Sequence, residues 1–409
     1  MTFGPAALDT TETQDEAPGA NRSIDSLLRT SDLFDVPPLQ PDVQAELLTP
    51  ALLVWPDRIS ANIDRMIQIA GSPERLRPHC KTHKMLPVVQ RLLQSGVTRH
   101  KAATVVEVDM LCRAGATDIV LAGNPVGPSL IELIRLATEH SDTTFAITAD
   151  NAAILKQASK ASSEAGLEVG VLLGVDVGLH RTGVDPAGPD AGPLYRLISD
   201  LPGLRPAGLH IYDGHQHQTD REERTSAIHQ AWQPVEGLLN QLEDAQLPVP
   251  ELLCGGTPSF PVYAAFDDPR VRLSPGTCTL HDVGYGRCCP DLVFDVAAAV
   301  ATRVVSSAVA GQLTLDVGHK AIAGDPPAGS RVFLPALPDA KAIIHNEEHL
   351  TVTTQHANRY QPGDLLMALP IHVCPTVALH SHAMVVHDGR ITDEWPVARH
   401  RRLRQTAVS

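Results

Sequence analysis

EVGVLLGVDVGLHRTGV, residues 168–184, decides the fold. Its first half is apolar without alternation. A strand with one face in water would put a polar side chain at every second position, so this one is buried on both faces. Doubly buried strands belong to parallel sheets, whose neighbours are joined by helices. The second half is a glycine-flanked turn carrying Asp176, His180 and Arg181. Polar groups just past the C-terminal end of such a strand lie where α/β folds gather their chemistry.

Outward from this stretch the same rhythm repeats. LLTPALLVW (47–55), LRPHCK (76–81), HKAAT (100–104), DIVLAG (118–123), FAITAD (145–150), RPAGLHIY (205–212), VPELLCGG (249–256) and VRLSPGT (271–277) are further extended runs. Amphipathic segments separate them. RISANIDRMIQIAG (58–71) puts Ile59, Ile63, Met66, Ile67 and Ala70 on one helical face and stops at Gly71. Pro87 opens a helix closed by Gly96, and Thr104 with Glu107 has capping-box spacing before a helix that ends at Gly115. Nine candidate strands come close to the eight of a (β/α)8 barrel, so one of them belongs elsewhere. A doubly wound sheet would open with a Gly-rich first turn, which this sequence lacks.

From about residue 290 the texture changes. FDVAAAVATRVVSS, GQLTLDVG, SRVFLPALP, HLTVTTQHANRY, DLLMALPIHV and AMVVHDGRITD are short, β-branched and divided by turn residues, with no helix expected between them. The expected organisation is a flexible N-terminal extension over 1–45, an α/β barrel over 46–288, and an all-β C-terminal domain over 289–409. Residues 1 to about 22 read as a mobile polar tail.

Composition narrows the function. A net charge of −14 over 409 residues opposes a nucleic-acid surface, and no apolar run approaches a membrane span. The N-terminus has neither the basic nor the apolar region of a signal peptide, and seven scattered cysteines read as reduced thiols, so a cytoplasmic enzyme is expected. Adjacent Cys288 and Cys289 read as structural, and NEEH (346–349) as an exposed loop.

RLRPHCKTHK (75–84) carries the first chemical signal. A period of two puts Arg77, His79 and Lys81 on one side, with Lys81 at the strand end and facing the barrel mouth. A lysine there can bond a carbonyl carbon as a Schiff base; a lysine in a solvated turn would look the same. Arg181 can hold a phenolate or carboxylate. CGGTPSF (254–260) and SPGTCTLHDVGYG (274–286) offer amides and hydroxyls to a phosphate. LPIHVCPTVALH (369–380) sets His372 and Cys374 two apart in an expected strand, so both would leave one face. Imidazole plus thiolate suits zinc, and two protein ligands leave positions open; His380, His382 and His387 are nearby alternatives.

Taken in order, RPHCKTHK, DVGLHRTGV, CGGTPSF, SPGTCTLHD and HVCPTV resemble the D-threonine aldolase and D-serine dehydratase family, pyridoxal-phosphate enzymes of the alanine-racemase-like fold. The resemblance spans about residues 46–390. It implies that Lys81 carries the cofactor covalently, with His79 beside it, and that Arg181 approaches the cofactor's phenolic oxygen. It further implies that Gly256, Thr257, Gly276 and Thr277 hold the phosphate, and that His372 and Cys374 hold one divalent ion, zinc or manganese. Tyr212, in a loop that departs from the family pattern, is carried over as a cofactor neighbour. His210, with His215 and His217 close by, is the candidate general base. The expected activity is that of a lyase on β-hydroxy-D-amino acids, of the D-threonine aldolase type, in a homodimer. The alternatives are a D-serine or D-threo-3-hydroxyaspartate type dehydratase and, more remotely, a racemase or a non-catalytic cofactor carrier.

Overall fold

The computed structural model describes residues 34–399; the expected mobile tail lies outside them. Strand β1 (Ala51–Val54) is followed by β2 (Arg99–Ala102), β3 (Asp118–Leu121), β4 (Thr144–Ala149), β5 (Val169–Val175), β6 (Leu204–Ile211), β7 (Leu252–Cys254) and β8 (Val271–Leu273). β2 to β8 form one parallel sheet in sequence order. The segment Leu76–Cys80 joins its two edges. Leu76 bridges Leu273 of β8, His79 bridges Lys101 of β2, and the amides of Arg77 and Cys80 donate to the carbonyls of Leu273 (2.8 Å) and Lys101 (2.9 Å). The sheet therefore curls into the expected barrel with RPHC as its eighth stave.

β1 is the candidate strand in excess. It pairs antiparallel with β9 (Ala298–Ser306) and parallel with a strand near the C-terminus, so it belongs to a second sheet. That sheet also contains β10 (Gln312–Leu315), β11 (Val332–Phe333), β12 (Lys341–His345), β13 (Leu350–Thr353), β14 (Leu365–Pro370), β15 (His382–His387) and β16 (Arg390–Pro396), with β15 the parallel partner of β1. Residues 34–45, placed in a flexible extension by the sequence, are packed. Phe34 and Leu39 are buried in a core with Trp55, Val283, Leu369 and Val386, and Pro41 opens a short helix, Pro41–Glu46. Three prolines hid these anchors.

The helices form where the spacing predicts them. Pro56 opens Pro56–Ala70, Gly71 ends it at φ +84°, and Ile59, Ile63, Met66 and Ala70 are buried. Thr104 accepts the Glu107 amide at 3.3 Å, but Glu107 does not close a capping box. Its carboxylate takes the Ala103 amide (2.7 Å) and pairs with Lys84 inside the protein.

One expectation fails in the second domain. VCPTVAL is a helix, Val373–Leu379, with His372 as its N-cap. Pro375 falls in the first turn, where a missing amide leaves no helical hydrogen bond unmade. Val373, Thr376 and Val377 bury the i, i+3, i+4 face. His372 and Cys374 are therefore presented by a helix start rather than by one strand face. Among the described residues no helix is long and apolar enough to cross a membrane.

Candidate active site

At the C-terminal mouth of the barrel lies a cavity of about 290 Å³, lined by His79, Lys81, Lys101, Arg181, His210 and Tyr212 among others, and by no carboxylate. The ring of Tyr212 is its hub. Lys81 Nζ stands 5.7 Å from the ring centroid, Lys101 Nζ 5.6 Å and Arg181 Cζ 5.2 Å. His210 lies nearly parallel to the same ring, at 6.4 Å and 7°.

Each side chain is held by its own strand end. Lys81 follows the closing stave directly. Arg181 sits in a turn fixed by Asp176, whose carboxylate accepts the amides of Gly178 (2.9 Å) and His180 (3.0 Å) and the His180 ring (2.9 Å). Asp176 and His180 thus build the turn, and only Arg181 of the three reaches the cavity. Gly183 lets the turn close at φ +102°, where a Cβ would come 2.7 Å from the Asp176 amide nitrogen.

The electrostatics are one-sided. Burial and the nearby charges of Lys81 and Arg77 bring Lys101 down to about 7. Burial, then Lys101 and other neighbouring cations, hold His79 and His210 well below the ordinary histidine range, so both are neutral. His79 donates through Nδ1 to the Lys101 carbonyl at 3.1 Å. His210 Nε2 is 3.5 Å from Lys101 Nζ.

Lys84 is excluded from the cavity's chemistry by its pairing with Glu107, itself fully buried. Of the two lysines in KTHK, Lys81 alone lines the cavity.

The two glycine turns meet each other, one against Tyr212 and the other against His79 and Thr82. Thr257 Oγ1 accepts the amides of Gly276 (3.3 Å) and Thr277 (3.1 Å), and Gly256 packs against the Tyr212 ring. The Gly256 amide donates to Ser259 Oγ at 3.0 Å. Three of the four amides expected to face a phosphate thus bind hydroxyls.

The helix Val373–Leu379 brings the second domain onto this site. Asp282, at the end of the last barrel turn, accepts the Val373 amide at 2.9 Å and the Tyr285 amide at 2.8 Å. Cys374 Sγ consequently lies 3.2 Å from Thr82 Oγ1, one residue from Lys81, and 3.4 Å from Thr277 Oγ1. His372 Nδ1 is 2.6 Å from Asp325 Oδ2. Burial pulls His372 down, but Cys374, Asp325 and Asp282 outweigh it and raise it to about 9. His380 faces away, 2.7 Å from the Ala321 carbonyl, and His382 and His387 lie on β15.

Sequence reasoning missed Lys101, Asp325, Asp282 and Thr82. Lys101 had a signal: a lysine inside a doubly buried strand is out of place unless it faces a site. Asp325 had none, being 47 residues from His372 in an irregular segment.

Fold and site together define a two-domain barrel enzyme whose groups converge at the strand C-termini. The model of the alanine racemase N-terminal domain matches residues 54–277, and a serine dehydratase domain matches 297–386. The chain is 31% identical to a D-threonine aldolase of Arthrobacter sp, over 88% of this chain and 95% of that protein. It is 26% identical to a D-threo-3-hydroxyaspartate dehydratase of Delftia sp. strain HT23, over 86% and 97%. The crystal structure of D-threonine aldolase from Filomicrobium marinum superposes with a TM-score of 0.79 at 28% identity, covering 87% of this chain and 96% of that one. The chain belongs to the D-threonine aldolase and D-serine dehydratase family of alanine-racemase-like enzymes, and it is a lyase.

Membership implies pyridoxal phosphate, and the residues fit it. A cavity lined by Lys81, Lys101 and Arg181, with Lys101 buried and no carboxylate among its lining, suits an anionic ligand.

Proposed function

We propose that the protein is a pyridoxal-phosphate- and divalent-metal-dependent lyase that cleaves β-hydroxy-D-amino acids to glycine and an aldehyde, as a D-threonine aldolase does. One observation carries this reading: Cys374, 292 residues from Thr82 in sequence, lies against the turn that presents Lys81. A cofactor lysine and a metal pair are useful together only if they serve one substrate.

Lys81 is the residue that would bond the cofactor, Arg181 would hold its phenolic oxygen, and Thr257 and Thr277 would exchange their mutual contacts for its phosphate. Pyridoxal phosphate supplies the electron sink that makes bonds at the substrate's α-carbon breakable. His372 and Cys374 would hold zinc or manganese; the ion supplies a Lewis acid that lowers the pKa of a bound hydroxyl. Two protein ligands leave coordination positions open for substrate. Asp325 at Nδ1 leaves Nε2 of His372 for the ion.

In the cleavage the β-hydroxyl loses its proton and its oxygen becomes the aldehyde carbonyl. The Cα–Cβ electron pair passes to the α-carbon, which takes up a proton to give glycine. His210, neutral in the Lys81 cavity, is the base this reading assigns to the β-hydroxyl proton, which it then returns to the α-carbon. The reading includes a cytoplasmic homodimer in which the second domain of one chain covers the barrel mouth of the other.

The serine dehydratase match over 297–386 favours dehydration as the second reading. Incubation with D-threonine, pyridoxal phosphate and zinc or manganese separates the two. Glycine with acetaldehyde is expected. 2-Oxobutyrate with ammonia would establish the dehydratase, and no product from any β-hydroxy-D-amino acid would refute both.

A further inference from the structure

Lys101 has no part in the reaction as described, yet it is 2% exposed and points into the cavity of Lys81. We propose that Lys101 is a cofactor-binding residue, sharing with Arg181 the charge of the phenolic oxygen of pyridoxal phosphate. This rests on Lys81 being the cofactor lysine.

Position makes the first argument. Lys101 is locked to the stave that carries Lys81: its carbonyl accepts the Cys80 amide at 2.9 Å and the His79 ring at 3.1 Å, and its amide donates to Pro78 at 3.0 Å. It therefore sits beside Lys81, and its Nζ faces the Tyr212 ring together with Lys81 and Arg181. Pyridoxal phosphate has two anionic ends. The phosphate belongs to those turns, and the phenolic oxygen is ortho to the carbon that a lysine bonds. The anion nearest Lys81, and hence Lys101, is the phenolic oxygen.

Charge makes the second. Lys101 Nζ has one hydrogen-bonding neighbour, the neutral His210, and among the described residues no carboxylate lies within ion-pair distance. His79, Lys81, Arg77, His210 and Arg181 surround it on the basic side. Asp213 and Cys254 act on it from a distance, and Asp213 is bonded to Ser259 at 2.6 Å. A buried amine held near neutrality by cations regains its proton when an anion arrives, so cofactor binding and Lys101 protonation are coupled.

The test compares wild type with Lys101→Met, and with Lys101→Arg in case the apolar variant folds poorly. Cofactor affinity is measured by titrating the cofactor-free protein, and the bound cofactor's visible band is followed against pH. Lys101→Met is expected to weaken binding on the order of 10–100-fold. Its band should also change at higher pH than in wild type, because a neighbouring cation opposes protonation of the lysine–cofactor bond. Lys101→Arg should stay near wild type in both. Borohydride trapping keeps this proposal distinct from the one beneath it. An adduct at Lys81, with affinity and band indifferent to Lys101→Met, overturns the role of Lys101 alone; a wild-type adduct elsewhere overturns both.

Discussion

Lys84→Met tests how the turn that presents Lys81 is held. Lys84 ends RPHCKTHK at φ +50° and pairs with Glu107, their side chains being 14% and 0% exposed. Glu107 also accepts the Ala103 amide at 2.7 Å, and Cys80 Sγ lies 3.6 Å away. Methionine keeps the length of the stem and removes the charge. Glu107 is then left with one amide and a thiol, and stranding one partner of a buried ion pair costs about 3–5 kcal/mol. Because Lys84 keeps some contact with water, the lower end, about 3 kcal/mol, is expected. Adding Glu107→Gln removes the stranded charge while keeping an acceptor for Ala103. The double variant should recover most of the loss and end about 1 kcal/mol below wild type. Urea denaturation of the three proteins gives these differences as midpoint shifts at constant slope. A single-variant loss under about 1 kcal/mol, or a double variant no better than the single, would refute the reasoning.

Asp325→Ala should weaken zinc binding by about 10–100-fold in competition with a chromophoric chelator, since His372 loses the group that orients its ring; an unchanged affinity would free Asp325 from that role. Gly183→Ala puts a Cβ 2.7 Å from backbone at φ +102° and should destabilise the protein by about 2 kcal/mol or more, with weaker cofactor binding through a displaced Arg181. Full affinity and stability would show that the turn does not set Arg181. The cofactor-free protein should gain stability as pH rises above 7. Lys101 titrates near 7 when folded and near 10.5 when unfolded, so the unfolded chain holds more protons between those values. The slope is at most about 1.4 kcal/mol per pH unit; it should be lost in Lys101→Met and so appear in the difference between wild type and variant, which thermal melts at pH 7, 8 and 9 would show.

Much of this was legible in sequence because it depends on local pattern. Unbroken apolar strands such as VGVLLGV require a parallel sheet, and a lysine at the end of RPHCK must then face the barrel mouth. The helix Val373–Leu379 was misread because IHVC alternates like a strand while its i, i+3, i+4 face begins only at Val373. The packing of Phe34 and Leu39 depends on partners such as Leu369 and Val386, which no local period announces. The same holds for the site. Lys81 and Arg181 follow from strand ends, whereas the approach of Cys374 to Thr82 and of Asp325 to His372 is set by Asp282 clasping a distant helix start.

Lys81, and neither Lys84 nor Lys101, is the lysine proposed to carry the cofactor. Borohydride reduction of the protein with pyridoxal phosphate, followed by proteolysis and peptide mass mapping, addresses it directly. A phosphopyridoxyl mass confined to Lys81, and lost in Lys81→Ala, is the predicted result. The same mass on Lys84 or Lys101, or no adduct at all, would contradict the account.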